Sequence, residues 1–226
     1  MKILVVAAHP DDEVLGCGGT VARMTREGHE VFIAVLGEGI TSRFAERNTQ
    51  ERDLLKELHE KNREIATMLG AKELFAYSLP DNSFDSVPLL KIVRITEELI
   101  GKIHPEVVYT HHGGDLNIDH AITFRAVMTA TRPMKGCPVR QIYTFEIPSS
   151  TEWAFGKFSD IFDPNTFVDI SSTLDLKIQA MKQYESEVRQ FPHPRSSKAL
   201  QATAEKWGSV AGLEAAEAFQ LIRKIC

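Results

Sequence analysis

The sequence predicts an α/β fold: a Rossmann-like three-layer α/β/α arrangement around a mostly parallel sheet. Three observations lead there. The chain opens with a continuously apolar run, Ile3 to Ala8, which reads as a strand buried on both faces, as parallel strands are. Short apolar runs then alternate with amphipathic segments of helical length. The two segments richest in ligand-type side chains follow the first and the fourth of these runs.

The elements follow in order. After the first strand, Asp12 to Glu27 reads as a helix with Val14, Leu15, Val21 and Met24 on its apolar side and Gly28 at its end. His29 to Leu36 is a second strand, Gly37 to Asn48 a polar loop, and Thr49 to Leu69 a charged amphipathic helix closed by Gly70. Its Glu, Lys and Arg residues form a solvated face of i,i+4 pairs. Glu73 to Tyr77 is a third strand, Leu79 to Val87 a loop, and Pro88 to Ile103 a helix with proline in its first turn. Val107 to Tyr109 is a fourth strand, His111 to Ile118 a loop, Asp119 to Thr131 a helix and Gln141 to Ile147 a fifth strand. Beyond about residue 150 the alternation weakens: Thr166 to Ile170 as a strand, then helices over Leu174 to Val188, Lys198 to Trp207 and Leu213 to Ile225. This part is read as an extension of one domain, residues 1–226, that completes the pocket.

Bulk properties narrow the function. A chain of 226 residues suits one α/β domain, and a net charge of −5 gives no support to nucleic-acid binding. Three cysteines, Cys17, Cys137 and Cys226, lack the spacing of a metal site or a disulfide framework, which favours a reducing cytoplasm. The N-terminal apolar run is too short, and too soon acidic, for a signal peptide, and no run approaches membrane-spanning length. Neither nucleic-acid nor membrane partners are expected, and a homo-oligomer is left open.

At the end of the first strand a dinucleotide-binding protein would carry Gly-x-Gly-x-x-Gly. Here His9-Pro10-Asp11-Asp12-Glu13 stands instead, and Gly16, Gly18 and Gly19 come later, inside the predicted helix. A carboxylate-rich turn repels phosphate, so the glycines are better explained by close helix packing. An imidazole and a carboxylate at His-x-x-Asp suit a zinc ion, but a catalytic site needs a third protein ligand. The second polar cluster, Thr110 to His120, follows the fourth strand. In a doubly wound sheet of order 3-2-1-4-5 the ends of strands one and four flank the same crevice. The plain alternative, that Asp11, Asp12 and Glu13 are merely first-turn acids favoured by the helix dipole, leaves His9 and the matching second cluster unexplained. Of His111 and His112, one is expected to be a ligand or acid and the other a loop histidine.

At these residues the sequence resembles the PIG-L/LmbE family of zinc-dependent N-deacetylases. The resemblance rests on Ala8 to Glu13 followed by Gly16, Gly18, Gly19 and Thr20, and on Asp119-His120 at the head of a helix. Weaker agreement runs through Arg63-Glu64, Asp81 and the segment Ala215 to Ile222. It implies one Zn²⁺ per chain held by His9, Asp12 and His120, Asp11 as general base, and Asp119 orienting a neighbouring ligand. The implied reaction is removal of an N-acetyl group from a small N-acetylated molecule, an amino sugar or sugar conjugate, by metal-activated water. Many relatives carry histidine where Asn117 stands here, and asparagine cannot transfer a proton at neutral pH. The acid then falls to His112 first, with His111, His193 or protonated Asp11 as alternatives.

Further candidates are substrate-facing. Arg43 follows the second strand, Asp81 and Asn82 the third, and Asn117 lies on the second cluster. Phe191-Pro192-His193-Pro194-Arg195 displays His193 and Arg195 on a stiff segment suited to an acidic or phosphorylated sugar. Two competing functions use the same residues: an amidase acting on a thiol-sugar or other amide conjugate, and a non-catalytic nucleotide- or sugar-binding module. Fe²⁺ would also fit two histidines and a carboxylate.

Overall fold

A computed structural model describes residues 1–39, 49–157 and 160–226, with backbone alone for 49–53. The elements are β1 (Lys2–Ala7), α1 (Asp12–Arg26), β2 (Glu30–Gly37), α2 (Thr49–Met68), β3 (Glu73–Leu79), α3 (Leu89–Ile103), β4 (Val107–His111), α4 (Ile118–Ala130), β5 (Gln141–Phe145), β6 (Thr166–Asp169), α5 (Leu174–Gln183), α6 (Ser197–Ala211) and β7 (Ala216–Lys224). They build one seven-stranded sheet of order β3-β2-β1-β4-β5-β7-β6. The first five strands run parallel, and β7 lies antiparallel to both β5 and β6. The expected α/β class and the order 3-2-1-4-5 are both found.

Alternation along β1 explains the layers. Ile3, Val5 and Ala7 belong to a core shared with α1, α2, α5 and α6. Leu4, Val6 and Ala8 face the opposite core, packed by α3 and α4. With both faces covered, β1 is buried and apolar from Ile3 to Ala7. The register pairs Val6 of β1 with Thr110 of β4, so the residues just beyond these two positions sit side by side at the carboxyl edge of the sheet.

The C-terminal expectation fails. Leu213 to Ile225 is not a helix; β7 occupies Ala216–Lys224. Gly212 ends α6 in the left-handed conformation (φ 74°) with its N–H on the carbonyl of Gly208. The following Ala-Glu-Ala-Phe is buried throughout, between two strands that need a partner's backbone ladder. That pairing outweighs the helix preference of alanine and glutamate. Two smaller differences matter. Helix α5 stops at Gln183 rather than Val188, and β4 extends to His111, which puts that histidine in the sheet rather than in the loop.

Helix α1 is broken at Cys17 (φ −150°, ψ 20°). The groups released by the break are satisfied from the C-terminal part. The Lys177 ammonium donates to the carbonyl of Leu15 (2.8 Å), and the Glu217 carboxylate accepts from the amides of Gly19 (3.0 Å) and Thr20 (2.7 Å). Lys177 and Glu217 pair with each other at 2.6 Å, both buried. The glycines of α1 permit close packing, as expected: a Cβ on Gly16 would lie 2.3 Å from the Phe145 ring, and one on Gly19 2.9 Å from Ile170.

Gly16→Ala is therefore expected to destabilise the fold by about 1–3 kcal/mol through overpacking. Gly101→Ala, at an exposed position of α3 with nothing within 4 Å of the added carbon, is expected to stabilise it by roughly 0.5–1 kcal/mol. Urea unfolding of both variants checks the pair; equal effects would contradict the packing argument.

Candidate active site

Between β1 and α1 the chain makes a tight turn. Asp11, the residue before α1, has φ 103°, a left-handed conformation that is costly for any residue with a side chain. The turn is held by its own hydrogen bonds. The carbonyl of Asp11 accepts from Val14 (3.0 Å) and Leu15 (2.9 Å), and its amide donates to Glu13 Oε2 (3.1 Å). Asp12 Oδ2 accepts from the amide of His9 (2.8 Å). Asp11 and Asp12 consequently occupy different surroundings although they are neighbours in sequence.

Helix α4 brings the second cluster to the same place. Asp12 Oδ2 lies 3.3 Å from His9 Nδ1 and 3.3 Å from His120 Nε2. One ligand atom from each of His9, Asp12 and His120 falls within 4.8 Å of the others, and all three residues are buried. Asp119 Oδ2 is 2.9 Å from His9 Nε2, while its Oδ1 accepts from the amide of Phe84 (2.9 Å). That carboxylate fixes the imidazole plane of His9 and turns Nδ1 toward Asp12. Asp81 Oδ1 stands 3.4 Å from the same Nε2.

The donor set fits a divalent cation. Both ring nitrogens of His120 are buried without a hydrogen-bond partner, although Nδ1 lies 3.1 Å from Asp115 Oδ1. A buried imidazole whose nitrogens meet carboxylates without hydrogen-bond geometry is costly unless something else satisfies it. Electrostatics point the same way. Burial opposes charge on His9, yet Asp119, Asp12 and Asp81 outweigh it and raise its pKa to about 10. His120, likewise opposed by burial, is raised to about 9 by Asp12 and Asp115. Asp12 is also buried, but the neighbouring imidazoles hold it well below the usual carboxylate range. The cluster thus demands positive charge, and two imidazoles with a carboxylate are a zinc-type ligand set.

Asp11 differs from Asp12. Burial pushes its pKa well up; Arg195 pulls it back, and Asp12 and Glu187 add to the rise. Its Oδ2 is 2.8 Å from Arg195 Nη1.

The remaining expectations divide. A pocket of about 120 Å³ is lined by His9, Asp11, Asp12, Asp81, Asn82, Asn117, Glu187 and Arg195, among others. Asn117 caps α4 through its Oδ1, which accepts from the amide of Asp119 (2.8 Å), and its amide nitrogen donates to Asn82 (3.0 Å). His112 is not brought to this pocket. Its Nε2 sits 2.8 Å from the carbonyl oxygen of Asp160, and its ring lies edge-on to Phe162, beside neighbouring cavities. His193 packs edge-on against Trp153, and its Nδ1 accepts from the amide of Arg195 (3.1 Å). Arg43 lies outside the described residues.

Of the pair His111 and His112, from which one ligand or acid was expected, His111 supports the site, and Asp115, Glu13, Asn62 and Tyr184 join it without having been assigned roles from sequence. His111 is fully buried at the end of β4, where its Nε2 accepts from the amide of Ala8 (2.8 Å) and its ring stacks on His120 at 4.1 Å. Burial and His120 lower its pKa to about 3, so it is neutral and supportive. Asp115 accepts from Ser150, from Thr151 (2.6 Å) and from the amide of Asn117 (2.9 Å) beside His120. Glu13 accepts from the Tyr184 hydroxyl (2.6 Å), with Asn62 beside both. The signal for Glu13 and Asp115 was their place inside the two polar clusters. Asn62 and Tyr184 carried none.

Comparison with known proteins places this chain among relatives. The family model described as PIG-L, GlcNAc-PI de-N-acetylase, matches residues 4–131. An uncharacterized deacetylase of Escherichia coli, YaiS, is 27% identical over 81% of this chain and 90% of its own length. The diacetylchitobiose deacetylase of Thermococcus kodakarensis is 25% identical over 98% of this chain and 83% of its own. The solved N,N'-diacetylchitobiose deacetylase of Pyrococcus horikoshii superposes with a TM-score of 0.79 at 19% identity, covering 98% of this chain and 84% of that one.

The raised imidazoles give a pH dependence. A histidine whose folded pKa lies above its ordinary 6.5 contributes stability that is complete below that pH and is lost as pH rises through the folded value. Chelator-treated protein is expected to lose stability between about pH 6.5 and 10. A flat unfolding midpoint across that window would contradict the charge assignment.

Proposed function

We propose, from the premise that this chain belongs to the PIG-L (GlcNAc-PI de-N-acetylase) family, that it is a metal-dependent N-deacetylase acting on a small N-acetylated amino sugar or sugar conjugate. The observation that carries the reading is the convergence of His9, Asp12 and His120 donor atoms within 4.8 Å, beside Asp11 and in one pocket. The relatives' names support the substrate class, since diacetylchitobiose is an N-acetylated sugar.

In this reading His9, Asp12 and His120 hold one Zn²⁺ per chain, the ion that two imidazoles and a carboxylate suit. Bound there, the ion supplies Lewis acidity for an amide carbonyl and lowers the pKa of a water. Asp119 orients the His9 ring, and Asp115 steadies His120. Asp11 takes a proton from the attacking water. It returns that proton to the amine nitrogen as the C–N bond breaks and acetate leaves. The return falls to Asp11 because His112 faces a different cavity, His111 Nε2 is committed to the amide of Ala8, and His193 packs against Trp153 with its Nδ1 on the amide of Arg195. Asp81, Asn82 and Asn117 provide donors and acceptors for sugar hydroxyls. The described lining is rich in carboxylates, which favours an uncharged sugar and the ammonium it becomes over a phosphorylated substrate.

The reading takes residues 1–226 as one working unit, because β6 and β7 extend the sheet that bears the site. It sets the enzyme in the cytoplasm on the strength of its few cysteines, all three unpaired. Among the described residues no helix is long and apolar enough to cross a membrane.

Acetate release from N-acetylglucosamine, diacetylchitobiose and N-acetylglucosaminides is the direct assay. Wild type is expected to release acetate from at least one of them in a zinc-dependent way. His9→Ala and His120→Ala should each lose stoichiometric zinc; metal retained in both would overturn the ligand set. Asp11→Asn should keep zinc and lose about 10²–10⁴-fold in kcat. A near-normal rate would remove Asp11 as the base.

A further inference from the structure

The family match ends at residue 131, yet much of what holds Asp11 comes from later in the chain. Its backbone amide donates to Glu13, whose other oxygen accepts from the Tyr184 hydroxyl at 2.6 Å. Its carboxylate is gripped at Oδ2 by Arg195 Nη1 at 2.8 Å. Arg195 is in turn built into place. Its Nε donates to Ser149 Oγ (2.9 Å) and approaches the carbonyl of Pro148 (3.3 Å), and Nη1 also meets Glu187 Oε2 (3.3 Å). Only 20% of its side chain is exposed.

This differs from the role the sequence suggested for Arg195. A guanidinium aimed at a substrate anion would present its fork to the pocket with its charge in hand. Here two carboxylates, Asp11 and Glu187, already face it, so a third anion would meet little uncompensated charge. A guanidinium that donates from Nη1 to one carboxylate oxygen while its Nε is anchored elsewhere is suited to fixing that carboxylate's orientation.

We infer that Arg195 is a positioning residue for the reaction: by pinning Oδ2 of Asp11 it leaves Oδ1 as the oxygen that meets the reacting water. The inference rests on the reading of Asp11 as proton acceptor. It makes the segment from Ser149 to Arg195, beyond the matched region, part of what sets the rate. A carboxylate released from this grip can rotate about its own bond, and an error of the order of 1 Å in a reacting group costs roughly 10²-fold in rate.

The test uses the zinc-loaded full chain with whichever N-acetylated sugar the acetate assay identifies. Arg195→Ala is expected to lower kcat about 10²-fold, with KM within about twofold of wild type and zinc content and unfolding midpoint retained, a split that marks loss of a transition-state interaction rather than of substrate binding. Added guanidinium, at concentrations that leave wild type unaffected, should restore several-fold of the lost kcat. Arg195→Lys, which keeps a charge near Asp11 but not the fork to Ser149, should fall between and serves should the alanine variant fold poorly. A rise in KM with kcat preserved in either variant would instead make Arg195 a substrate ligand and overturn the inference, as would an unchanged kcat. Asp11→Asn in the same assay separates the two levels: if it stays active, the reading of Asp11 fails first; if it is inactive while Arg195→Ala keeps its kcat, the inference alone fails.

Discussion

Buried carboxylates crowded around one point are tolerable only with positive charge among them. Asp12, Asp81, Asp115 and Asp119 all lie within 3.5 Å of an imidazole nitrogen of His9 or His120, and all four are buried. Water cannot screen such a group, and neutralising it by protonation would forfeit its hydrogen bonds. The imidazoles answer that demand by holding protons, or by sharing a divalent cation. Most of the surrounding design follows from keeping this cluster intact: the capped α4, the neutral His111 stacked under His120, and the strained turn at Asp11.

The sheet makes the crowding feasible. Parallel strands deliver the ends of β1 and β4 to one edge, and the register that pairs Val6 with Thr110 sets His111 against Ala8. Helices α1 and α4 then start from that edge, each bringing first-turn acids to it: Asp12 and Glu13 from one, Asp119 from the other. The Lys177–Glu217 pair satisfies the backbone exposed where α1 breaks at Cys17. The C-terminal third is therefore tied to the site through that pair, through Tyr184 on Glu13 and through Arg195.

The legible part of the sequence was the part in which chemistry and periodicity coincide. The apolar run before His9 announced a buried parallel strand, and ligand-type residues after strands one and four marked the crevice. The neighbours His111 and His112 were not separable, because one residue's difference in where β4 ends decides which of them enters the sheet. Leu213 to Ile225 misled because alanine and glutamate favour helix locally, whereas the position between β5 and β6 is set by residues far away in the chain. Arg195 was recognised as unusual, but its partner Asp11 lies 184 positions earlier, a pairing that no local pattern reveals. Tyr184 and Asn62 gave no signal at all, being ordinary helix-region residues until folding sets them beside Glu13.

The central claim is that two imidazoles and one carboxylate grip a single cation. X-ray absorption spectroscopy at the zinc edge of the zinc-loaded protein addresses it most directly. The account expects nitrogen and oxygen scatterers at about 2.0–2.1 Å with the multiple-scattering signature of two histidine rings. A sulfur shell near about 2.3 Å, or a spectrum without imidazole, would contradict it.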